Sequence, residues 1–353
     1  MISRAFTPTP FRAPTWLRGP HAQTVGGKFL RRDPGVPLER ERLALPDGDF
    51  VDLDFGPEPE AWEETRARMP GAWPDPVPVA VVLHGLEGSA LRTYMRQTYG
   101  ELLRRRIRPV GLNFRSCSGE PNRANRLYHS GDTEDLRVVV AHLRERFVGR
   151  PLGAVGFSLG GNVLLKYLGE SGSASGVGAA VAVSVPYDLG AGAAALERGL
   201  MSRVYSAYFL RMLRRKVLAR EAALGEHIDV PVTLRARTLR QFDEAATAPL
   251  HGFADADDYY TRSSSGPLLP SIRVPTLLLH ALDDPFLPAE RVPVQAAADN
   301  PSIVAAFPDT GGHVGFIQGT PRQPRFWAEE EAARFLGEAL VRRPRPSRAP
   351  GPP

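Results

Sequence analysis

The chain has 353 residues, of which 42% are hydrophobic and 24% charged, and this composition predicts a globular protein with an extensive core. It excludes a wholly disordered chain, and no apolar stretch is long enough to cross a bilayer. The formal charge of +5 is concentrated in the last 13 residues, VRRPRPSRAPGPP, which hold four arginines and no acid, so the nearly neutral remainder argues against nucleic-acid binding.

Two further features predict a cytoplasmic protein. The single cysteine, Cys117, excludes an intrachain disulfide, and we interpret it as a small buried thiol rather than a nucleophile. The first residues, MISRAFTPTPFRAPTW, lack the apolar segment of a secretory signal. The Arg- and Pro-rich residues 341–353 are predicted to be a disordered tail.

Short apolar runs alternate with helical patterns, which predicts an α/β fold with an eight-stranded, mostly parallel sheet and helices on both faces. Residues 39–45 and 50–55 flank the turn PDGD and predict an antiparallel edge hairpin. The other strands are predicted at residues 79–83, 109–114, 152–157, 179–185, 274–280 and 302–307.

Three segments between and after these strands have patterns of their own. Residues 57–77 are Pro-rich and charged, which predicts a surface insertion. Asp132 is expected to be the N-cap of a helix with apolar residues at helical spacing from Leu136 to Phe147. A closing amphipathic helix is predicted at residues 325–340.

A helical insertion is predicted between strands 6 and 7, because the strand pattern lapses from residue 189 to 271. Its apolar stripe comprises Met201, Val204, Tyr205, Tyr208, Phe209 and Met212. The stripe either packs on the core or belongs to a lid over a site, and we favour the lid because such an insertion lies above one edge of the sheet. The basic face is interpreted as solvated, with peripheral membrane contact as the alternative. The predicted organisation is a core of residues 1–188 and 272–340, a lid of residues 189–271, and the tail.

The stretch GFSLGG places Ser158 between a predicted strand and a predicted helix. A sharp strand-to-helix turn strains the backbone of its apical residue, and Gly156 and Gly160 on either side remove the side chains that would collide there. Serine needs a neighbouring base that is itself oriented by a third group. Ser158 is therefore the candidate nucleophile.

The base and acid are expected after later strands, at the same edge of the sheet. His313, in the turn DTGGHVGF after the eighth strand, is the candidate base. Asp284 is the candidate acid because Pro285 stiffens its turn, and Asp283 is the alternative. The remaining histidines are interpreted as structural or surface residues: His21, His84, His129, His142, His227, His251 and His280. Acyl transfer also needs an oxyanion hole, for which the backbone amides of Leu86 and Leu159 are the candidates.

Beyond these residues, several segments resemble the α/β-hydrolase superfamily and, within it, the YheT-like group of abhydrolase-domain hydrolases. They are GPHAQT at 19–24, HGLEGS at 84–89, NFRSCSGEPNR at 113–123, YHSGDTED at 128–135, GFSLGGN at 156–162, DDYYTRSS at 257–264 and ALDDPF at 281–286. The resemblance implies an α/β-hydrolase fold and a serine hydrolase acting on carboxylic esters, with Ser158, Asp284 and His313 at the triad positions.

The expected function is hydrolysis of short to medium acyl esters, including lipid esters, through an acyl-enzyme. A thioesterase or acyltransferase with the same triad, or a non-catalytic binding module, are the alternatives. No cofactor or metal is expected, because the chain has no His-Glu-x-x-His, no phosphate-binding Gly-Lys-Ser/Thr loop and no Gly-x-Gly-x-x-Gly opening a dinucleotide site.

Overall fold

An eight-stranded sheet organises residues 6–62 and 76–340, the ranges that this computed structural model describes. Its strands are β1 Glu39–Ala44, β2 Phe50–Phe55, β3 Val79–Leu83, β4 Arg108–Asn113, β5 Leu152–Phe157, β6 Ala179–Val183, β7 Thr276–Leu279 and β8 Ile303–Ala306. Their order is β1-β2-β4-β3-β5-β6-β7-β8. The pairs β1/β2 and β2/β4 are antiparallel and the other pairs are parallel. The predicted fold class and its edge hairpin are confirmed.

Helices connect the strands and flank the sheet. They are α1 Pro20–Leu30, α2 Thr93–Arg104, α3 Glu134–Arg146, α4 Leu159–Ser171, α5 Leu189–Ala195, α6 Leu200–Ala219, α7 Glu221–Leu224, α8 Val230–Arg235, α9 Leu239–Phe242, α10 Ala248–Leu250, α11 Ala256–Ser263, α12 Val294–Asp299 and α13 Trp327–Leu340. A π-helical turn, Asp243–Thr247, joins α9 to α10. None of the helices in the described ranges has the length and apolar character that crossing a membrane requires.

Shorter elements complete the description. In the described ranges, 3-10 turns lie at Pro59–Ala61, Gly172–Ala174, Gly266–Ser271 and Ala289–Arg291. Two three-residue strands, β9 Ile317–Gly319 and β10 Pro324–Phe326, form a small antiparallel sheet that the sequence did not predict. Most of the predicted insertion at 57–77 and the predicted tail at 341–353 lie outside the described residues.

The core lies in two layers on opposite faces of the sheet, as the alternation of side chains along β3 illustrates. Val79, Val81 and Leu83 pack in one cluster with residues of α3 and α4. Ala80 and Val82 pack in another with residues of α2 and α13. All five side chains are buried, so β3 is a central strand covered by helices on both sides.

The N-cap prediction for Asp132 is wrong. Helix α3 begins at Glu134, and Thr133 occupies its N-cap position without a side-chain cap. The Asp132 carboxylate instead accepts a hydrogen bond from the Arg126 guanidinium at 2.8 Å and is almost fully buried. The Asp132 carboxylate therefore forms a charge-assisted hydrogen bond with Arg126 instead of capping the helix.

The face of α6 that packs against the rest of the protein also differs from the predicted apolar stripe. Its buried residues are Ser202, Ser206, Leu210, Leu213 and Val217, whereas Val204 and Tyr208 are exposed. The Ser206 hydroxyl donates a hydrogen bond to the Leu196 carbonyl at 2.7 Å, so this small polar side chain is satisfied at a buried position. The predicted apolar stripe consequently lies to one side of the buried face.

The parallel strands place the candidate residues at one edge of the sheet. The carboxyl ends of β3, β5, β7 and β8 lead into the segments that carry Leu86, Ser158, Asp284 and His313, respectively. Helices α5 to α11 are inserted in the chain between β6 and β7. This edge of the sheet is where open α/β folds bind ligands.

Candidate active site

Ser158 occupies a strained turn between β5 and α4. Its backbone angles are φ 53° and ψ −119°, which few residues other than glycine adopt. A Cβ at Gly156 would lie 2.5 Å from the Gly160 carbonyl oxygen, and a Cβ at Gly160 would lie 2.5 Å from the His84 carbonyl oxygen. Both glycines are therefore required by close backbone approach, and the turn holds Ser158 at the edge of the sheet.

The three predicted triad residues form one chain of hydrogen bonds. Ser158 Oγ lies 2.9 Å from His313 Nε2. His313 Nδ1 lies 2.9 Å from Asp284 Oδ2 and 3.2 Å from Oδ1. A proton on Nδ1 shared with the carboxylate leaves Nε2 free to accept the serine proton. This arrangement suits general-base activation of the hydroxyl.

The Asp284 side chain is buried, yet its pKa is held below its ordinary value. Burial alone would raise that pKa, but the charge and hydrogen bond of His313 lower it, and the hydrogen bond from the Phe286 amide adds to that effect. Asp284 thus remains an ionised acceptor for the imidazole. The carboxylate of the alternative, Asp283, pairs with the backbone instead of the imidazole: it accepts a hydrogen bond from the Gly312 amide at 2.8 Å.

Two other buried histidines adjoin this site. His280 Nε2 lies 3.9 Å from Asp284 Oδ2, and burial lowers the pKa of His280 to about 4. His84 Nδ1 lies 2.7 Å from the Gly85 carbonyl oxygen, its Nε2 accepts from the Phe114 amide, and burial lowers its pKa to about 3. Both therefore stay neutral at physiological pH. Among the described residues, no group of three His, Cys, Asp or Glu side chains converges on a metal position.

Side chains from distant segments hold the loop that carries His313. The His313 amide donates to Thr24 Oγ1 at 2.9 Å, and the Ile317 amide donates to Gln23 Oε1 at 2.7 Å. On the other side, the Val314 amide donates to Ser184 Oγ at 2.9 Å. Sequence reasoning missed these supports, although Gln23 and Thr24 lie in the GPHAQT segment noted for its resemblance.

The imidazole ring is also fixed by stacking. The Phe286 ring lies parallel to the His313 ring, with 4.0 Å between centroids and 17° between planes. Tyr205 and Phe209 of α6 contact the same Phe286 ring at centroid distances of 5.0 and 6.0 Å. The insertion therefore contacts the His313 ring indirectly, through the ring of Phe286. Phe286 belongs to the ALDDPF segment, but its stacking role was not predicted.

Two backbone amides beside Ser158 are candidates for stabilising an oxyanion. The Gly85 and Glu87 amides donate to the hydroxyls of Tyr94 and Tyr128, at 2.9 and 2.7 Å. The amides of Leu86 and Leu159 have no acceptor among the described residues. A Cβ at Gly85 would lie only 3.1 Å from Ser158 Cβ, so the turn that carries Leu86 runs directly beside the serine. Both amides suit the predicted oxyanion role.

Ser158 lies at the junction of two spaces. One is a cavity of about 120 Å³ between the sheet edge and the insertion, with a mainly apolar lining that includes Leu127, Leu189, Leu196, Leu213, Leu239 and Phe242. The other is an open groove of about 580 Å³ that runs between α1 and α6 and has Gly85, Ser158 and His313 along its floor. The reactive hydroxyl is therefore accessible both from an apolar cavity and from solvent.

Comparisons with known proteins agree with this architecture. A family model described as "alpha/beta hydrolase fold" matches residues 78–320. The Escherichia coli (strain K12) protein YheT is 40% identical over 90% of this chain and 89% of its own length. The Monoacylglycerol lipase of Saccharomyces cerevisiae is 34% identical over 74% of this chain and 59% of its own length.

The fold is also found in solved structures. The Pyrococcus furiosus esterase Pf2001 superposes with a TM-score of 0.54 over 95% of this chain and all of its own, at 16% identity, which is a likeness of fold. The family model covers most of the chain, and it spans Ser158, Asp284 and His313. The protein therefore belongs to the α/β-hydrolase fold family.

Proposed function

We propose that the protein is a serine hydrolase of carboxylic esters, with Ser158 as nucleophile, His313 as general base and acid, and Asp284 as the group that orients the imidazole. The observation that carries the proposal is the unbroken chain of hydrogen bonds from Ser158 Oγ through the imidazole to the buried carboxylate. The name of the yeast relative, a monoacylglycerol lipase, supports ester hydrolysis and a lipid ester as substrate.

Acylation follows from the positions of these atoms. Ser158 Oγ attacks the ester carbonyl carbon while His313 Nε2 takes the hydroxyl proton. The carbonyl oxygen becomes an oxyanion, which the amides of Leu86 and Leu159 stabilise by donating hydrogen bonds. The carbon–oxygen bond to the alcohol then breaks, and His313 returns the proton to the leaving alkoxide. The products of this half-reaction are an acyl-Ser158 ester and a free alcohol.

Deacylation uses the same groups with water as the nucleophile. Water enters from the open groove, and His313 Nε2 takes one of its protons as the oxygen attacks the acyl carbon. The bond to Ser158 Oγ breaks, and the proton returns to the serine. The carboxylic acid product then leaves, and the hydrogen bond between serine and histidine is restored.

The two spaces beside Ser158 suggest how a substrate lies. The apolar cavity would take the acyl chain, because burying methylene groups against its apolar lining is favourable. An apolar cavity of about 150 Å³ holds a benzene ring, so one of about 120 Å³ suits a short acyl chain of about four carbons. The alcohol would lie in the groove, from which it can leave to solvent.

Residues 189–271 would then be a lid over the core formed by residues 1–188 and 272–340. Leu189, Leu196, Leu213 and Leu239 all come from this insertion and line the cavity. Two of its side chains, Tyr205 and Phe209, contact Phe286 beside His313. Movement of the insertion would therefore change both the acyl cavity and the surroundings of the base.

The test combines covalent labelling with turnover. The wild type should react with a fluorophosphonate probe at Ser158 and hydrolyse p-nitrophenyl butanoate. Ser158→Ala should lose the label, and both Ser158→Ala and His313→Ala should lose turnover by at least about a thousandfold. Ser171→Ala, at the other end of α4, is the matched control and should behave as the wild type. Full hydrolysis by Ser158→Ala would reject the proposal.

A further inference from the structure

Exposed apolar side chains are concentrated around the groove that leads to Ser158. Val25, Phe29, Leu91, Val204 and Tyr208, here called the mouth cluster, line this groove and are exposed. They make up half of the ten large apolar side chains that are exposed in the described ranges. Exposed apolar residues scattered singly are common, but a contiguous group at the entrance of a site indicates contact with an apolar partner.

The mouth cluster is spread over three segments. Val25 and Phe29 lie one turn apart on α1, and Val204 and Tyr208 lie one turn apart on α6, on the opposite wall of the groove. Leu91 lies on the segment between β3 and α2. Because they come from distant parts of the chain, their common exposure is a property of the folded surface rather than of one apolar stretch of sequence.

The charges around this surface are positive. Helix α6 exposes Arg203, Arg211 and Arg215 and has no acidic residue, and α1 also has no acidic residue. At a helical period of 100° per residue, exposed Arg211 and Arg215 continue the stripe that begins with Val204 and Tyr208.

Two further cations lie within the groove itself. Lys28 Nζ is 5.4 Å from the centroid of the Tyr208 ring, and Arg92 Nη2 is 3.4 Å from the Tyr208 hydroxyl. The acidic residue in the groove lining, Glu87, is almost fully buried and paired with Lys216. The groove therefore presents positive charge, without an exposed carboxylate on its lining, to whatever covers the mouth cluster.

We infer that the mouth cluster docks the protein on an anionic lipid surface, with the groove facing the bilayer. An interfacial surface combines apolar side chains that enter the acyl region with cations that bind anionic headgroups. Docking in this orientation places the entrance to Ser158 at the lipid, so an ester reaches the serine without crossing water. The inference rests on the proposed function only for the hydrolysis that comes after binding.

The test is a flotation assay of the full chain with two kinds of vesicle. The protein should bind vesicles made of equal parts phosphatidylglycerol and phosphatidylcholine more strongly than vesicles of pure phosphatidylcholine. Binding to the anionic vesicles should weaken as salt is raised to about 1 M, where the Debye length falls to about 3 Å. Equal binding to both kinds of vesicle would overturn the anionic part of the inference.

Variants locate the surface. Phe29 and Leu91 are 74% and 51% exposed, and Val148 and Val294, which do not line the groove, match them at 82% and 52%. The double variant Phe29→Ser/Leu91→Ser should bind anionic vesicles about tenfold more weakly, because it removes two apolar side chains that would be buried in the bilayer. The control Val148→Ser/Val294→Ser should bind as the wild type. An equal loss in both, or no loss in the first, would overturn the inference.

Two further measurements separate the alternatives. Ser158→Ala should float with the vesicles as the wild type does, because the serine hydroxyl takes no part in docking. Vesicle binding is therefore tested independently of the proposed hydrolysis. Sedimentation of the free proteins detects a second copy of the chain on the same surface. If the wild type is a dimer that Phe29→Ser/Leu91→Ser dissociates, and neither binds vesicles, the mouth cluster is a self-association face and lipid docking is wrong.

Discussion

Lys216 Nζ lies 2.8 Å from Glu87 Oε1, which joins helix α6 of the insertion to the turn that carries the Leu86 amide. Glu87 is 3% exposed and has a left-handed φ of 53°. The same Oε1 accepts a hydrogen bond from the Tyr128 hydroxyl at 3.0 Å, and Lys216 also lies 3.0 Å from Cys117 Sγ. A buried ion pair therefore links the insertion to the proposed oxyanion hole.

Replacing Lys216 with methionine should weaken both stability and catalysis. Lys216→Met leaves the Glu87 carboxylate buried without its cation, which costs about 3 kcal/mol in the free energy of unfolding. The turn should then shift and displace the Leu86 amide, so kcat should fall more than KM rises. Urea unfolding and steady-state kinetics measure the two effects.

The double variant Lys216→Met/Glu87→Gln is the control for this pair. A neutral amide at position 87 removes the unpaired charge and can still accept from Tyr128, so the double variant should recover most of the lost stability. If Lys216→Met has the same urea midpoint of unfolding and the same kcat as the wild type, the ion pair does not hold the turn that carries the Leu86 amide.

The strands, and the meeting of Ser158, Asp284 and His313 at one edge of the sheet, could be predicted because their signals are local. Val79–Leu83 and Leu152–Phe157 are short apolar runs that end in turn residues, and both are buried strands in the structure. Parallel strands end at one edge, so a serine and a histidine after two of them were expected to meet there. The choice of Asp284 over Asp283 rested on the proline that follows it, and the structure places Asp284 beside the imidazole.

The missed features depend on contacts between distant segments. Gln23 and Thr24 bind the loop that carries His313, almost 300 residues away, and the local sequence pattern of α1 does not predict those hydrogen bonds. The buried face of α6 contains Ser202 and Ser206, which a search for apolar periodicity passes over. Asp132 was misassigned for a different, local reason, because Arg126, six residues earlier, pairs with the carboxylate that a helix N-cap would need.

Thr24 should act as a positioning residue for His313. Its hydroxyl accepts from the His313 amide at 2.9 Å and donates to the Pro20 carbonyl at 2.7 Å. Thr24→Val keeps the shape but removes both bonds, so kcat should fall by about tenfold while KM changes little. Thr24→Ser keeps the hydroxyl and should restore kcat. Equal kcat in the valine and serine variants would contradict this role.

Asp243 should make stability depend on pH. It lines the cavity beside Ser158, where it accepts hydrogen bonds from the hydroxyls of Thr247 and Tyr260 at 2.6 and 2.7 Å. Burial raises its pKa to about 6, against an ordinary value of 3.8, although the two hydrogen bonds lower it. The folded state therefore holds this proton more tightly than the unfolded state does.

The direction of the pH effect follows from that difference. The stabilising contribution of Asp243 is fully present below about pH 4 and is lost as the pH rises through about 6, a change of about 2–3 kcal/mol. In Asp243→Asn this part of the pH dependence should vanish, because the amide does not titrate and can pair with the same hydroxyls. Urea unfolding of both proteins between pH 4 and 8 measures it, and parallel curves would show that Asp243 is not responsible.

Two glycine-to-alanine substitutions should change stability in opposite directions. At Gly160, on the turn after Ser158, a Cβ would lie 2.5 Å from the His84 carbonyl oxygen and 2.7 Å from that of Leu83, both of them backbone atoms. Gly160→Ala must therefore move β3 away from α4, which should destabilise the protein by at least about 3 kcal/mol and abolish labelling of Ser158.

Gly337 in α13 is the matched control. A Cβ there would lie 3.6 Å or more from its nearest neighbours, which are side-chain carbons of Arg105, so alanine fits in ordinary contact. Alanine in a helix loses less backbone entropy on folding than glycine does, and Gly337→Ala should stabilise the protein by about 0.5–1 kcal/mol. Thermal unfolding of the two variants compares the signs directly. A Gly160→Ala variant with a Tm equal to or above that of the wild type would show that the turn around Ser158 has room for a Cβ. Close backbone approach would then not be the reason for glycine at position 160.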